Sequence, residues 1–254
     1  MSKVRPPAHT LDFWFDYSCP YAYLGSTQIE ALAARIDASL AWRPMLLGGV
    51  FAAVGTSQNL MSTLGPAKAA HNARDMARWA ELYSVPLSVP PEHPRRTVEA
   101  LRATLLCHAD PAVIHGFFRA YWVEGRDPSS TETIRAVVSA AGYDADAVLG
   151  ALALESTKAD LRARTERAVE LGVFGAPAMV LDDDGLYWGQ DSFPLIESAA
   201  GVAPEPDAST TARPAPGAGS HTLELYWDFS SPFAYLAVEQ AEALAARTGA
   251  TLVY

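Results

Sequence analysis

The sequence predicts an α/β fold: a strand–helix–strand opening, a long helical insertion and a strand–strand–helix close. Three observations carry that prediction. Strand-like alternation at residues 11–16 gives way to helical spacing from Pro20. Helical periodicity then fills about 66–172, and two short apolar runs at 178–181 and 186–188 flank an acidic turn. A further regularity frames the whole chain. Residues 9–42 reappear as 221–254 at a constant offset of 212, with 18 of 34 positions identical. A period that long fits duplication of a whole domain rather than a solenoid repeat.

Each element has a local reason. Leu11, Phe13 and Phe15 alternate with Asp12, Trp14 and Asp16, which predicts a strand, while Tyr23, Leu24, Ile29, Leu32 and Ala33 fall at helical spacing. Cys19 therefore lies where a strand turns into a helix. Residues 39–45 read as a second strand, and strand–helix–strand order implies a parallel pair with a right-handed crossover. Helices are expected over Ala67–Leu82, Arg95–His108, Ala112–Val123, Thr131–Ala141, Ala145–Leu152 and Ser156–Leu171. The runs 178–181 and 186–188, with Asp182, Asp183, Asp184 and Gly185 between them, read as a hairpin, and a last helix runs from Ser192 to about Ala199. Residues 203–220, rich in Pro, Ala, Ser and Thr, read as a semi-extended linker.

Composition narrows the function classes. Half of the 254 residues are hydrophobic and 19% are charged, an ordinary globular balance. A net charge of −10 without a Lys/Arg cluster argues against nucleic acid as a partner. The basic N-terminus lacks a following apolar stretch, so neither a signal peptide nor a membrane span is read. Two cysteines, Cys19 and Cys107, make no disulfide framework, which points to a reducing cytoplasm. Cys107 sits in a helical apolar pattern and is most simply a small buried side chain. The six histidines show no metal-ligand spacing, so no metal is expected. Residues 182–185 look like a calcium-loop fragment, but no Glu completes an EF-hand and a hairpin turn explains them better. No G-x-G-x-x-G turn or P-loop supports nucleotide binding.

The duplication locates the chemistry. In SCPYAYL the sulfur of Cys19 precedes Pro20, and in SSPFAYL the same place holds Ser231. A thiol at the first turn of a helix faces unpaired N–H groups and the positive end of the macrodipole, which favour thiolate, the nucleophilic form. Pro20 suits this place, because its missing N–H costs nothing at a helix start.

Five segments together resemble the DsbA-like thioredoxin superfamily: 16–25 (DYSCPYAYLG), 42–50 (WRPMLLGGV), 121–127 (YWVEGRD), 172–178 (GVFGAPA) and 188–191 (WGQD). They are most similar to 2-hydroxychromene-2-carboxylate isomerases and kappa-class glutathione transferases. The likeness runs from Thr10 to about Val202 and begins again at His221. It implies a thioredoxin-like fold with an inserted all-helical subdomain over residues 9–202, the linker 203–220, and a truncated second copy over 221–254. It also implies glutathione as cofactor, a small-molecule electrophile as substrate and a homodimer. In that family the residue before the first-turn proline, usually serine, steadies the thiolate of bound glutathione; here it is Cys19. The backbone before a cis-proline pairs with the cysteinyl unit of glutathione, which maps onto Ala176 and Pro177. The polar pair near the last strand holds the γ-glutamyl end and maps onto Gln190 and Asp191. Lys68 and Arg43 are candidates for ligand carboxylates, with Asn72 and Arg74 weaker.

Several readings stay open at this level. Asp191 could pair with a ligand ammonium or cap the following helix. Tyr23 and Tyr235 read as core aromatics rather than catalytic phenols. The second cysteine of a C-x-x-C motif falls at Ala22, so the site is monothiol, and an intramolecular dithiol cycle with Cys107 is not expected. The leading expectation is a glutathione-dependent isomerase or transferase, in which Cys19 or the glutathione thiolate adds to a conjugated electrophile and later leaves, freeing bond rotation. The helical insertion would supply the substrate pocket. The alternatives are a monothiol oxidoreductase acting on protein disulfides through Cys19, and a non-enzymatic thioredoxin-like binding module.

Overall fold

The computed structural model describes residues 5–57, 63–183, 185–203 and 221–254. The chain forms two compact units, Met1–Glu205 and Pro206–Tyr254. The linker expected over 203–220 lies outside the described residues apart from Ala203.

In the first unit β1 (His9–Phe15) leads through α1 (Pro20–Ser26) and α2 (Ile29–Arg35) to β2 (Ala38–Pro44). The strands pair in parallel from His9↔Ala38 to Phe15↔Pro44. A single helix was expected across 20–33. It is broken because Ser26 and Thr27 donate their hydroxyls to the carbonyls of Tyr23 and Leu24, each at 2.7 Å, competing with helix continuation. An unforeseen short helix, α3 (Leu47–Ala53), follows β2.

The insertion contains α4 (Pro66–Leu82), α5 (Val98–Leu106), α6 (Pro111–Trp122), α7 (Thr131–Ala140), α8 (Ala145–Ala151) and α9 (Glu155–Glu170). Asp110, Ser130 and Asp144 cap α6, α7 and α8 by accepting backbone N–H bonds, which fixes where these helices start. The expected helix from Arg95 begins later, at Val98, because residues 90–97 hold a turn around the cis His93–Pro94 bond. The chain then returns as β3 (Ala178–Leu181), β4 (Gly185–Trp188), a 3-10 turn (Gln190–Ser192) and α10 (Phe193–Ala199). The sheet order is β2-β1-β3-β4, with β3 antiparallel to both neighbours.

Aromatic packing binds the insertion to the sheet. Phe15, Tyr17, Phe117, Phe118 and Trp122 are essentially inaccessible. Tyr17 meets Phe118 edge-on at 4.9 Å, a contact worth about 0.5–1.5 kcal/mol beyond simple burial. Trp122 Nε1 donates to the Tyr17 carbonyl at 2.8 Å, and the Tyr17 and Thr104 hydroxyls bond at 2.6 Å. The turn between β1 and α1 is thereby held from both α5 and α6.

The second unit contains β5 (His221–Glu224), α11 (Pro232–Thr248) and β6 (Ala250–Val253). Its strands pair in parallel from His221↔Ala250 to Glu224↔Val253, the register of β1 and β2 at the same offset. Glu239 replaces Thr27 and Val238 replaces Ser26, so the competing hydroxyls are gone and α11 runs unbroken. Tyr235 is 68% exposed, which overturns its expectation as a core aromatic. Tyr23, by contrast, is buried and donates its hydroxyl to the Pro86 carbonyl at 2.7 Å.

Candidate active site

The fold brings three distant segments to the start of α1. Cys19 is the residue before Pro20, only 8% exposed, and its Sγ donates to the Ala176 carbonyl oxygen at 3.0 Å. The Ala176–Pro177 peptide is cis, and Ala176 and Ala178 are both buried. Gly175 lets the Trp188 indole pack directly against the backbone, since a Cβ there would come within 2.6 Å of Trp188 Nε1. Gln190 is 3% exposed and its Cβ lies over Gly25 of α1.

The ionisation of Cys19 departs from the sequence expectation. Burial pushes the thiol up to about 12; the backbone amides of Ala22 and Tyr21 pull it down, and the Asp16 carboxylate raises it further. The helix start does favour thiolate, but desolvation outweighs two amide dipoles. In this structure Cys19 is a protonated donor. Cys107, a free and fully buried thiol at the end of α5, is pushed up to about 11 by burial and by Asp110.

The mouth of the site is acidic. The Tyr21 hydroxyl donates to Asp75 Oδ2 on α4 at 2.9 Å, and burial with that carboxylate pushes the phenol up. Asp191 is solvent-exposed, yet crowding by protein and the nearby Asp75 push its carboxyl up. Asp191 does not cap α10: Ser192 occupies that place and makes no side-chain capping bond. Lys68 stands exposed in the first turn of α4. Arg43 lies on β2, where it pairs with Asp12 at 3.0 Å, so it serves the sheet rather than a ligand carboxylate. The hairpin positions Asp182 and Asp183 adopt left-handed backbone, and Asp182 takes bonds from His9 and the Thr10 amide; Asp184 lies outside the described residues. Among the described residues no cluster of His, Cys, Asp or Glu could hold a metal ion. No described helix is long and apolar enough to cross a membrane.

Two hollows lie elsewhere on the first unit, neither lined by Cys19, Ala176 or Gln190. An apolar one of about 270 Å³ lies between Met76 and Ala80 of α4 and Leu87 and Val89. A larger cleft of about 920 Å³ runs beside β2 past Trp42 and Arg164, and Cys19 does not line it. Sequence reasoning overlooked Asp16, Thr97 and Asp75. The signal for Asp16 was present, because the D-x-S spacing occurs in both copies.

Known proteins share the fold of the first unit. A family model for the DSBA-like thioredoxin domain matches residues 10–201. A 2-hydroxychromene-2-carboxylate isomerase of Sphingobium xenophagum is 30% identical over 191 residues, covering 74% of this chain and 96% of the relative. Glutathione S-transferase kappa 1 of Rattus norvegicus is 28% identical over 209 residues, covering 76% and 91% respectively. A solved 2-hydroxychromene-2-carboxylate isomerase structure superposes with a TM-score of 0.65 at 27% identity, covering 76% of this chain and 94% of that one.

Proposed function

The chain belongs to the DSBA-like thioredoxin domain family, with 2-hydroxychromene-2-carboxylate isomerases and kappa glutathione transferases among its relatives, and from that premise we propose a glutathione-dependent isomerase or transferase acting on a conjugated electrophile. The observation that carries this reading is the protonated Cys19 sulfur bonded to Ala176, next to cis Pro177 and without a second cysteine at Ala22. A buried S–H donor suits a partner sulfur that is itself the thiolate.

The residues present fit glutathione. The Tyr21 and Ala22 amides at the start of α1 suit a thiolate, and the backbone at the cis Ala176–Pro177 peptide suits pairing with an extended peptide. Cys19 would turn its S–H from the Ala176 carbonyl to the ligand sulfur, freeing Ala176 to pair with the cysteinyl backbone, and Gln190 and Asp191 would receive the γ-glutamyl end. Glutathione, when bound, supplies a thiolate that can add to a conjugated carbon and later leave, permitting rotation about the former double bond. The apolar hollow beside α4 would receive the electrophile, and the Tyr21–Asp75 bond ties that helix to the start of α1.

A monothiol oxidoreductase would need an accessible sulfur of low pKa. Burial of Cys19 argues against it. We also read residues 221–254 as the opening strand, helix and strand of a second domain of this family, supported by the shared register. The functional reading is tested by calorimetric titration of reduced glutathione into the full chain. Binding at millimolar ligand or tighter is expected, and no heat of binding would remove it.

A further inference from the structure

Beside the sulfur lies a carboxylate that the proposed chemistry does not use. Asp16 is 1% exposed; burial pushes its carboxyl up, and what pulls it back is a set of hydrogen-bond donors rather than a cation. Oδ1 accepts from the Ser18 amide at 2.9 Å, the Ser18 hydroxyl at 3.0 Å and the Thr97 hydroxyl at 2.7 Å; Oδ2 accepts from the Leu47 amide at 2.8 Å. Its own carbonyl accepts from the Cys19 amide at 3.1 Å. One residue thus joins the Cys19 turn to the first residue of α3 and to Thr97, which precedes α5.

The second unit separates what is local from what is tertiary. Asp228 keeps both bonds from Ser230, at 2.7 and 2.5 Å, and is exposed. The D-x-S turn therefore forms unaided. Burial and the bonds from Leu47 and Thr97 are additions found at Asp16, and a buried carboxylate without a cation is costly unless its donors are fixed.

We propose that Asp16 is a positioning residue for the Cys19 sulfur: it clamps the sulfur-bearing turn to the starts of α3 and α5 and places a carboxylate beside the thiol. The clamp holds Sγ beside the Ala176 carbonyl within the packing that excludes water from it, and the carboxylate adds to that desolvation in keeping Cys19 a donor. The other titratable groups within electrostatic reach are Tyr21 beside Cys19, with Asp75 and Asp191 acting on Tyr21, and Tyr17 and Tyr121 around Asp16. The inference rests on the reading of Cys19 as the sulfur of the site, and not on glutathione.

The test is alkylation of the full chain at about pH 9, followed by mass spectrometry on the Cys19 peptide, with neutral iodoacetamide and anionic iodoacetate compared. Asp16→Asn keeps the shape and removes the charge. It should react several-fold faster with iodoacetamide, and its iodoacetate-to-iodoacetamide ratio should rise about threefold or more. Thr97→Val and Ser18→Ala keep the charge and each remove one donor; both should react faster with the ratio unchanged, and Thr97→Ser should restore the original rate. An unchanged ratio in folded Asp16→Asn overturns the proposal. Should Asp16→Asn not fold, the two donor variants decide, and original rates in both overturn it. Loss of glutathione binding with these alkylation results intact would remove the cofactor reading and leave the clamp standing.

Discussion

Cys19→Ser is the substitution for which the chain carries its own reference. At the equivalent place Ser231 Oγ accepts the Ala234 amide at 3.1 Å, whereas Cys19 makes no capping bond. A serine cap is worth about 0.5–2 kcal/mol, typically near 1. Against this, a more polar group enters a site that is 8% exposed, which costs roughly 0.5–1 kcal/mol when its hydroxyl is hydrogen-bonded, as the Ala176 carbonyl allows. With the typical cap value the net change should therefore lie between about 0 and +0.5 kcal/mol, a Tm rise of up to about 2 °C for a unit of this size. Glutathione affinity should stay within about threefold, because an O–H replaces an S–H in the same donor role. Scanning calorimetry reads the first quantity and titration calorimetry the second. A Tm lower by more than about 4 °C, or affinity lost by more than tenfold, would refute the reasoning and return Cys19 to the role of a required nucleophile.

Three further outcomes are expected. The folded Cys19 thiol titrates near 12 against an ordinary 9.0. Because the folded pKa is raised, its contribution to stability is complete below pH 9 and is lost as pH rises towards 12; wild type should lose about 2 kcal/mol more than Cys19→Ser between about pH 8 and 10.5 in denaturant titrations. Arg35 contacts Glu197 at 2.6 Å, and the Glu197 side chain is 4% exposed while that of Arg35 is 31% exposed. Arg35→Ala should cost about 2–4 kcal/mol, read as a lowered urea midpoint at constant m, whereas Arg247→Ala at the exposed repeat position should cost under about 0.5 kcal/mol. Asp191→Asn should weaken glutathione about five- to tenfold with Tm unchanged; a fall in Tm with affinity retained would assign Asp191 a structural role instead.

Much of the fold is legible because its signals are local. The alternation at Leu11, Phe13 and Phe15, the Pro20 helix start and the caps at Asp110, Ser130 and Asp144 each act within a few residues. The break between α1 and α2 was also written locally, in Ser26 and Thr27, but periodicity masks it, since both hydroxyls sit within an otherwise helical pattern. The helix α3 was missed because Gly48 and Gly49 lower its propensity, while the Asp16 and Thr165 side chains satisfy the Leu47 and Leu46 amides from a distance.

The repeated SCPYAYL and SSPFAYL segments determined by themselves that one sulfur stands at a helix start where its copy has an oxygen. They could not determine the state of that sulfur. Its hydrogen-bond partner, Ala176, is 157 residues away, and the packing that excludes water from it comes from elements on both sides of the helical insertion. Helix starts and turns follow from short-range sterics and hydrogen bonding, whereas protonation follows from desolvation, which exists only once distant segments close around the group. Tertiary structure therefore decided that Cys19 is a buried donor, that Arg43 belongs to Asp12, and that Asp16 holds the turn between them and the site.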